Sequence, residues 1–359
     1  MAGDRIYLDH AATTPVLAEA RAAMTDALDV WANPSSPHAE GRGARAAFEA
    51  ARTAIAEALG WRHDVILSSG ASEAIAICAA SAKAERSLIG ATEHDAVVAA
   101  MGTEAQALAV DEQGRVELAE LERALAGAPA LVAVQQVNNE TGLIQPIAAI
   151  AAMVRTAGSL LLTDCAQGAG KIPLPDADFF AVSAHKLGGP PGMGAVLVRD
   201  INMLTPSGGQ EKGYRRGTEN LPAAAGFAAA VQSRAFVDAM PRLAELRSKL
   251  EEAIVAGGGT VVAADSERIA TIGAYAMPGV SSASQLVQFD LAGIGVSAGS
   301  ACSSGSMKPS RVLAAMCVPA EIAGTVIRVS FGPQTSEDDV DRFVTEWHRI
   351  AGRAGLRAA

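Results

Sequence analysis

Two stretches decide how this chain is read: LVAVQQVNNETG at residues 131–142 and LLLTDCAQ at 160–167. Each begins as a nearly continuous apolar run and ends in polar residues. That pattern belongs to a strand of a parallel sheet covered on both faces, where neither side of the strand meets water. Expected strands are therefore Val65–Ser68, Ser87–Ala91, Leu131–Val137, Leu160–Thr163, Phe179–Ser183 and Ala195–Val198. Helical patterns lie between them, at about 42–59, 71–84, 94–102, 117–126 and 147–157. Pro146 stands where a first helical turn starts and Gly158 where that helix stops. The spacing predicts an α/β fold with a mainly parallel sheet.

After Gly217 the texture changes. An alanine-rich helical region at about 219–256 leads through Gly257–Gly259 to shorter elements and a last helix at about 336–352. We read this as a smaller C-terminal α+β unit. Neither a repeat nor a low-complexity linker interrupts the chain.

Composition narrows the function. The chain has 359 residues, 50% of them hydrophobic, which is ample for a large core and argues against disorder. At about 150 residues per domain, the length suggests about two to three domains. Lys and Arg number 29 against 39 Asp and Glu, so the net charge of −10 speaks against nucleic acid or an anionic membrane surface as partner. Aromatic residues make up 4% and glycine numbers 35, a composition for tight helix–sheet packing. Cys78, Cys165, Cys302 and Cys317 are too few in so long a chain for a disulfide framework. The start, MAGDRIYLDHAATTP, lacks the apolar core of a secretion signal, and no long apolar run follows. The expectation is a cytoplasmic protein with four thiols.

In a doubly wound sheet, ligands bind beyond the carboxyl ends of the strands. Four such places are unusually polar: SSGASE (68–73), VNNETG (137–142), TDCAQ (163–167) and SAHK (183–186). Ser69 to Glu73 open a helix, which makes either an anion cradle or an ordinary helix cap. Asp164 ends an apolar strand and needs a cationic partner, either a protonated ring nitrogen or an arginine. Lys186 follows a strand and precedes the glycine-rich loop Gly188–Gly194. Alone it reads most simply as a surface lysine, but a lysine so placed can also bond an aldehyde. Together, a phosphate cradle, a strand-end aspartate and a strand-end lysine are the three contacts that pyridoxal phosphate requires.

Ten segments then carry a resemblance. YLDHAATTP, NPSSPH, SSGASEA, EHDAV, VNNETG, DCAQGAGK, SAHKLGGPPGMGA, RRGTEN, SAGSACSSGSMKPS and IRVSFG resemble, in this order, the marks of NifS/IscS-type cysteine desulfurases. These are class V aminotransferase-fold enzymes that use pyridoxal 5'-phosphate. The resemblance spans about residues 6–345. It implies a type I pyridoxal-phosphate fold: a large domain over 12–238 with a mainly parallel seven-stranded sheet, and a small α+β domain from 1–11 and 239–359. It also implies conversion of L-cysteine to L-alanine, with the sulfur held as a persulfide for iron–sulfur cluster assembly or other thiolation.

By position, Lys186 resembles the lysine that bonds the cofactor aldehyde, and Asp164 the partner of the pyridine nitrogen. Gln167 matches the residue that bonds the ring's phenolic oxygen, and His94 the one that stacks on the ring and moves protons. Ala71, Ser72, Ser183 and His185 match phosphate contacts. Thr218 resembles a phosphate contact donated by the other subunit of a homodimer with shared sites. Asn139 and Arg328 match the substrate-binding positions, the arginine suiting a carboxylate through its forked geometry.

Cys302 matches the sulfur acceptor. It lies in SAGSACSSGS (297–306), a run of small residues within a loop of about 297–310 that the composition predicts to be mobile. A cysteine is often simply a small core residue, but the serines around Cys302 do not read as core. Cys78 and Cys317, in apolar helical settings, read as packing, and so does Cys165. The histidines His10, His38 and His63 show no metal-ligand spacing with the cysteines, so no metal site is expected. Asn33 and His38, in NPSSPH, suit a place near the site or a solvated loop equally.

Two positions depart from the family pattern. Pro191 stands where relatives often have lysine, and the tail after the last helix is short for docking an IscU-like scaffold. The rival activities on this fold are selenocysteine lyase and cysteine-sulfinate desulfinase. A catalytically silent scaffold partner is the rival of another kind, against which intact Lys186, Asp164, Cys302 and Arg328 stand.

Overall fold

A computed structural model describes residues 5–299, 309–353 and 355. Strand β1 (Ile6–Tyr7) is followed by helices α1 (Ala18–Asp29) and α2 (Ala39–Ala58), strand β2 (Asp64–Ser68) and helix α3 (Ala71–Ser81). Next come β3 (Arg86–Gly90), α4 (Asp95–Met101), β4 (Gln106–Leu108), α5 (Leu118–Leu125), β5 (Ala130–Ala133) and α6 (Ile147–Thr156). Strands β6 (Leu160–Asp164), β7 (Phe179–Ser183) and β8 (Gly194–Val198) complete this half. The C-terminal part holds α7 (Leu221–Gln232), α8 (Ala235–Ala256), β9 (Thr260–Val261), β10 (Ile272–Ala276), α9 (Ser282–Leu291) and β11 (Ile294–Gly295). It ends with α10 (Arg311–Ala315), α11 (Ala320–Ala323), β12 (Val326–Ser330) and α12 (Glu337–Arg353). No helix among the described residues is long and apolar enough to cross a membrane.

Seven strands form the central sheet in the order β2-β8-β7-β6-β5-β3-β4. All its neighbours pair in parallel except β8, which runs against both β2 and β7. The reason lies in the chain between β7 and β8. Only residues 184–193 separate them, too few for the crossover that a parallel return needs. Along each strand, alternate residues enter different cores. Val65, Leu67, Val132, Val134, Phe180 and Val182 pack on one face, while Ile66, Leu131, Ala133, Phe179 and Ala181 pack on the other. Burial on both faces is what makes these strands read as unbroken apolar runs.

The remaining strands form two small sheets, an antiparallel one in the order β12-β10-β9 and the parallel pair β1-β11. Their core holds Phe289 stacked on Phe343 with ring centroids 4.7 Å apart, and the buried Trp347. Single bridges, Asp9 with Ser330 and Ser297 with Arg328, join the N-terminal strand and the segment after β11 to β12.

Three sequence expectations are corrected. The helix expected over about 219–256 is two, α7 and α8, because Arg234 takes a left-handed conformation (φ 55°) between them. Strand β5 ends at Ala133 instead of Val137, since the Gln135 N–H goes to the Glu93 carboxylate. Cys317 is exposed and left-handed (φ 57°) just after α10, so it does not belong to the core, whereas Cys78 and Cys165 are buried.

Candidate functional site

Because β2, β3, β5, β6 and β7 all point the same way, their carboxyl ends open on one side of the sheet. A cavity of about 430 Å³ lies there. Ser69 to Glu73 reach it from the end of β2 and the start of α3, His94 from the segment after β3, and Asp164, Ala166 and Gln167 from β6. Ser183, His185 and Lys186 enter from β7, Asn139 from the turn after β5, and Arg328 from β12.

At one end, α3 starts without a side-chain cap, and Gly70 has a φ of 152° that a side chain would rarely adopt. Ala71 and Ser72 therefore begin the helix with backbone N–H groups not taken by a cap. Glu73 lines the same end, its charge offset by Arg215 at 3.0 Å. A side chain on Gly194 of β8 would come within 2.7 Å of the Gly70 Cα, so that strand can pass close behind this turn only as glycine.

On the floor, Asp164 Oδ1 accepts the Ala166 N–H at 2.9 Å. Burial pushes its carboxyl above the usual range, while His94 and Lys186 pull the other way. Lys186 sits in the short turn Ala184–Lys186 beyond β7, and its Nζ donates to the carbonyls of Ala11 and Ala12. The Ala11 carbonyl also accepts Gln167 Nε2 at 2.9 Å, and the buried Gln167 Oε1 has no hydrogen-bond partner among the described residues. His185 Nδ1 lies 3.0 Å from Thr13 Oγ1. Burial, with Lys186 and Lys171 nearby, lowers the His185 pKa to about 4, so its ring is neutral at pH 7.

His94 caps α4, its Nδ1 accepting the Ala96 N–H at 3.1 Å. That bond places the proton of the neutral ring on Nε2. Across the cavity, Arg328 is 3% exposed; it donates to the Asn139 carbonyl at 3.0 Å and pairs with Asp9 at 2.9 Å.

The comparisons with known proteins agree with this architecture. Residues 6–343 match the family model of aminotransferase class-V. A cysteine desulfurase of Cereibacter sphaeroides is 35% identical, over 95% of this chain and 94% of its own. The cysteine desulfurase IscS of Dictyoglomus turgidum is 34% identical, over 96% and 94%. The X-ray structure of a NifS-like protein from Rickettsia africae superposes with a TM-score of 0.88 at 30% identity, covering 96% of this chain and 99% of that one. The chain belongs to the class-V aminotransferases, among their NifS/IscS-type cysteine desulfurases.

Of the site residues named from the sequence of this desulfurase, Ala71, Ser72, His94, Asn139, Asp164, Gln167, Ser183, His185, Lys186 and Arg328 share the one cavity. Thr218 does not: it is exposed and is not among the lining residues. Cys302 and most of its loop lie outside the described residues. Asn33 and His38 serve local turns, Asn33 Oδ1 accepting the Ser35 N–H and His38 capping α2. Sequence reasoning missed the carbonyls of Ala11 and Ala12, and Asp9 as partner of Arg328. The segment YLDHAATTP was the available signal, since it holds Asp9, Ala11 and Ala12 together.

Proposed function

We propose that this cavity binds pyridoxal 5'-phosphate, and that the enzyme takes L-cysteine, passes its sulfur to Cys302 as a persulfide and releases L-alanine. The observation that carries this reading is the placement of Lys186 and Asp164 at the ends of adjacent parallel strands, in one cavity with the uncapped start of α3.

The residues fit the cofactor. Asp164, pushed up by burial, is a carboxylate in want of a cation, and a protonated pyridine nitrogen would supply one. Gln167 spends one of its two N–H groups on Ala11 and keeps the other for a phenolic oxygen. Ala71, Ser72, Ser183 and His185 would hold the phosphate. Thr218, exposed on one chain, would complete that contact in the partner of a homodimer. When bound, the cofactor supplies an aldehyde that captures amines and a cationic ring that takes up electron density from the substrate Cα.

The chain's own residues then have separable tasks. Arg328 and Asn139 hold the substrate carboxylate, Arg328 sharing its guanidinium with Asp9. Lys186, as a free amine, carries the proton at the substrate Cα. His94, which lines the same cavity, would lie against the ring and offer a proton from Nε2; it can act as a base through Nδ1 only by giving up its bond to Ala96. The Cys302 sulfur forms an S–S bond to the substrate sulfur. The substrate C–S bond breaks with its electron pair on carbon, and a proton taken up there completes alanine. L-cysteine and a thiol thus become L-alanine and a persulfide, with no outside oxidant. A free thiol has a pKa of about 8.5, so a base must help to form the nucleophile. A sulfur acceptor in the cytoplasm, an iron–sulfur scaffold or a thiolation enzyme, would then receive the sulfur.

Mass spectrometry of the loaded protein after addition of L-cysteine tests this reading. The expected result is a gain of one sulfur on Cys302, removed by a reductant and absent from Cys302→Ser, which still binds the cofactor. Sulfide release at an undiminished rate from Cys302→Ser would show that Cys302 is not the acceptor. It would favour the lyase or desulfinase activities instead.

A further inference from the structure

The turn after β5 faces two ways. Asn139 lines the cavity, while its neighbour Glu140 is not among the lining residues and is 5% exposed. The Glu140 carboxylate accepts the Ser310 hydroxyl at 2.6 Å. Next to Ser310, Arg311 donates to the Glu93 carbonyl and pairs with Asp95 at 3.2 Å, so it bonds both neighbours of His94. These contacts hold the chain just after the segment that carries Cys302, which precedes Ser310 by eight residues.

The other side of that segment is held by the same group of residues. Ser297 exchanges backbone hydrogen bonds with Arg328, at 2.7 and 3.1 Å. The Arg328 side chain in turn donates to the Asn139 carbonyl. A path of bonds therefore runs from Ser297 through Arg328, Asn139 and Glu140 to Ser310. Both ends of the Cys302 segment are bonded to the residues proposed to hold the substrate, or to their neighbours.

A carboxylate buried at this place costs stability unless its partners repay it. Burial raises the Glu140 pKa, and the Ser310 hydroxyl, Arg328 and Arg311 pull it back. The cap of α10 does not explain Glu140, because Ser310 Oγ caps that helix by accepting the Leu313 N–H at 3.0 Å, with or without the carboxylate.

We infer that Glu140 and Ser310 form a clasp that ties the chain at Ser310, eight residues beyond Cys302, to the turn that bears Asn139, which makes Glu140 a positioning residue for sulfur transfer. The inference rests on the reading of Cys302 as sulfur acceptor. It concerns the transfer step and leaves cofactor and substrate binding to the cavity residues.

The experiment compares Glu140→Ala, Ser310→Ala and the double variant, each loaded with pyridoxal phosphate, with Glu140→Gln as the conservative replacement. Persulfide formation on Cys302 is followed by rapid quenching and mass spectrometry. Cysteine binding is followed by the change in cofactor absorbance. A clasp predicts that both single variants slow the sulfur gain on the order of tenfold to a hundredfold, as a small misplacement of reacting groups does. Half-saturation by cysteine stays at the wild-type value. The double variant is no slower than the slower single one. Glu140→Gln, which still accepts the Ser310 hydroxyl, restores the rate. Unchanged sulfur gain in the two single variants would overturn the clasp. So would equal losses of cysteine binding and transfer that Glu140→Gln does not repair. A parallel Cys302→Ser sample that still gains the sulfur would instead overturn the reading beneath it.

Discussion

Asp164 carries opposing demands on one side chain. Its Oδ1 accepts the Ala166 N–H, and His94 and Lys186 favour its charge, yet burial outweighs them and raises its pKa, so the carboxylate is unfavourable where it sits. A carboxyl whose folded pKa lies above its unfolded value lowers stability at pH values above the unfolded pKa. Asp164→Asn removes that penalty and keeps the shape. The cofactor-free variant is therefore expected to melt at or above the wild-type temperature. The same change removes the negative partner of the ring nitrogen, so turnover of the loaded variant should fall by on the order of a hundredfold or more. Thermal melting of the apoprotein and kcat per bound cofactor measure the two halves. A variant that melts lower and turns over normally would contradict both.

Among the elements, the connection from β7 to β8 ties fold to site. It carries Lys186 at its start and ends at Gly194, whose Cα faces two backbones. An added Cβ there would meet the Val182 carbonyl at 2.4 Å and the Gly70 Cα at 2.7 Å. Neither is the end of a flexible side chain, so one strand or the turn before α3 must shift. Gly194→Ala is expected to lower stability by about 1–3 kcal/mol and to weaken cofactor retention, read from melting and from bound pyridoxal phosphate after dialysis. The same element shows what a sequence can reveal. The strands were legible because burial on both faces leaves unbroken apolar runs, and the cavity residues because ligands gather at parallel strand ends. Strand β4 was not, being three residues at the sheet edge with only Leu108 buried. Helix α1 escaped too. It buries only alanines and packs on α7 by close approach, Gly226 lying where a Cβ would meet Met24. No apolar stripe marks such a helix. The carbonyls of Ala11 and Ala12 were beyond reach for another reason. They are backbone groups brought to Lys186 from the far end of the chain by the β1–β11 pairing and the Asp9–Ser330 bridge.

At the scale of the whole molecule, the parts that meet around Lys186 are rich in bases that folding discharges. Lys171, buried and lying over the Phe236 ring, has its pKa lowered to about 7, and His10 and His185 are lowered to about 4. His10 is the most enclosed of the two histidines: it is 7% exposed, and a Cβ on Gly332 would fall 2.0 Å from its ring. A histidine with a folded pKa below its unfolded value of about 6.5 takes up its proton more readily when the chain unfolds. Its contribution is therefore complete above about pH 6.5 and lost as pH falls toward 4, by roughly 3 kcal/mol for a shift of this size. The buried carboxyls Glu93, Asp164 and Glu140 have raised pKa values and bend the overall curve the opposite way in acid. A difference between two proteins isolates the histidine. His10→Gln changes the packing by an amount that does not depend on pH and deletes the titration. The gap in melting temperature, wild type minus His10→Gln, should thus be largest near pH 7.5 and shrink steadily down to pH 4.5. A gap that stays constant over that range would mean that His10 keeps its ordinary pKa within the fold.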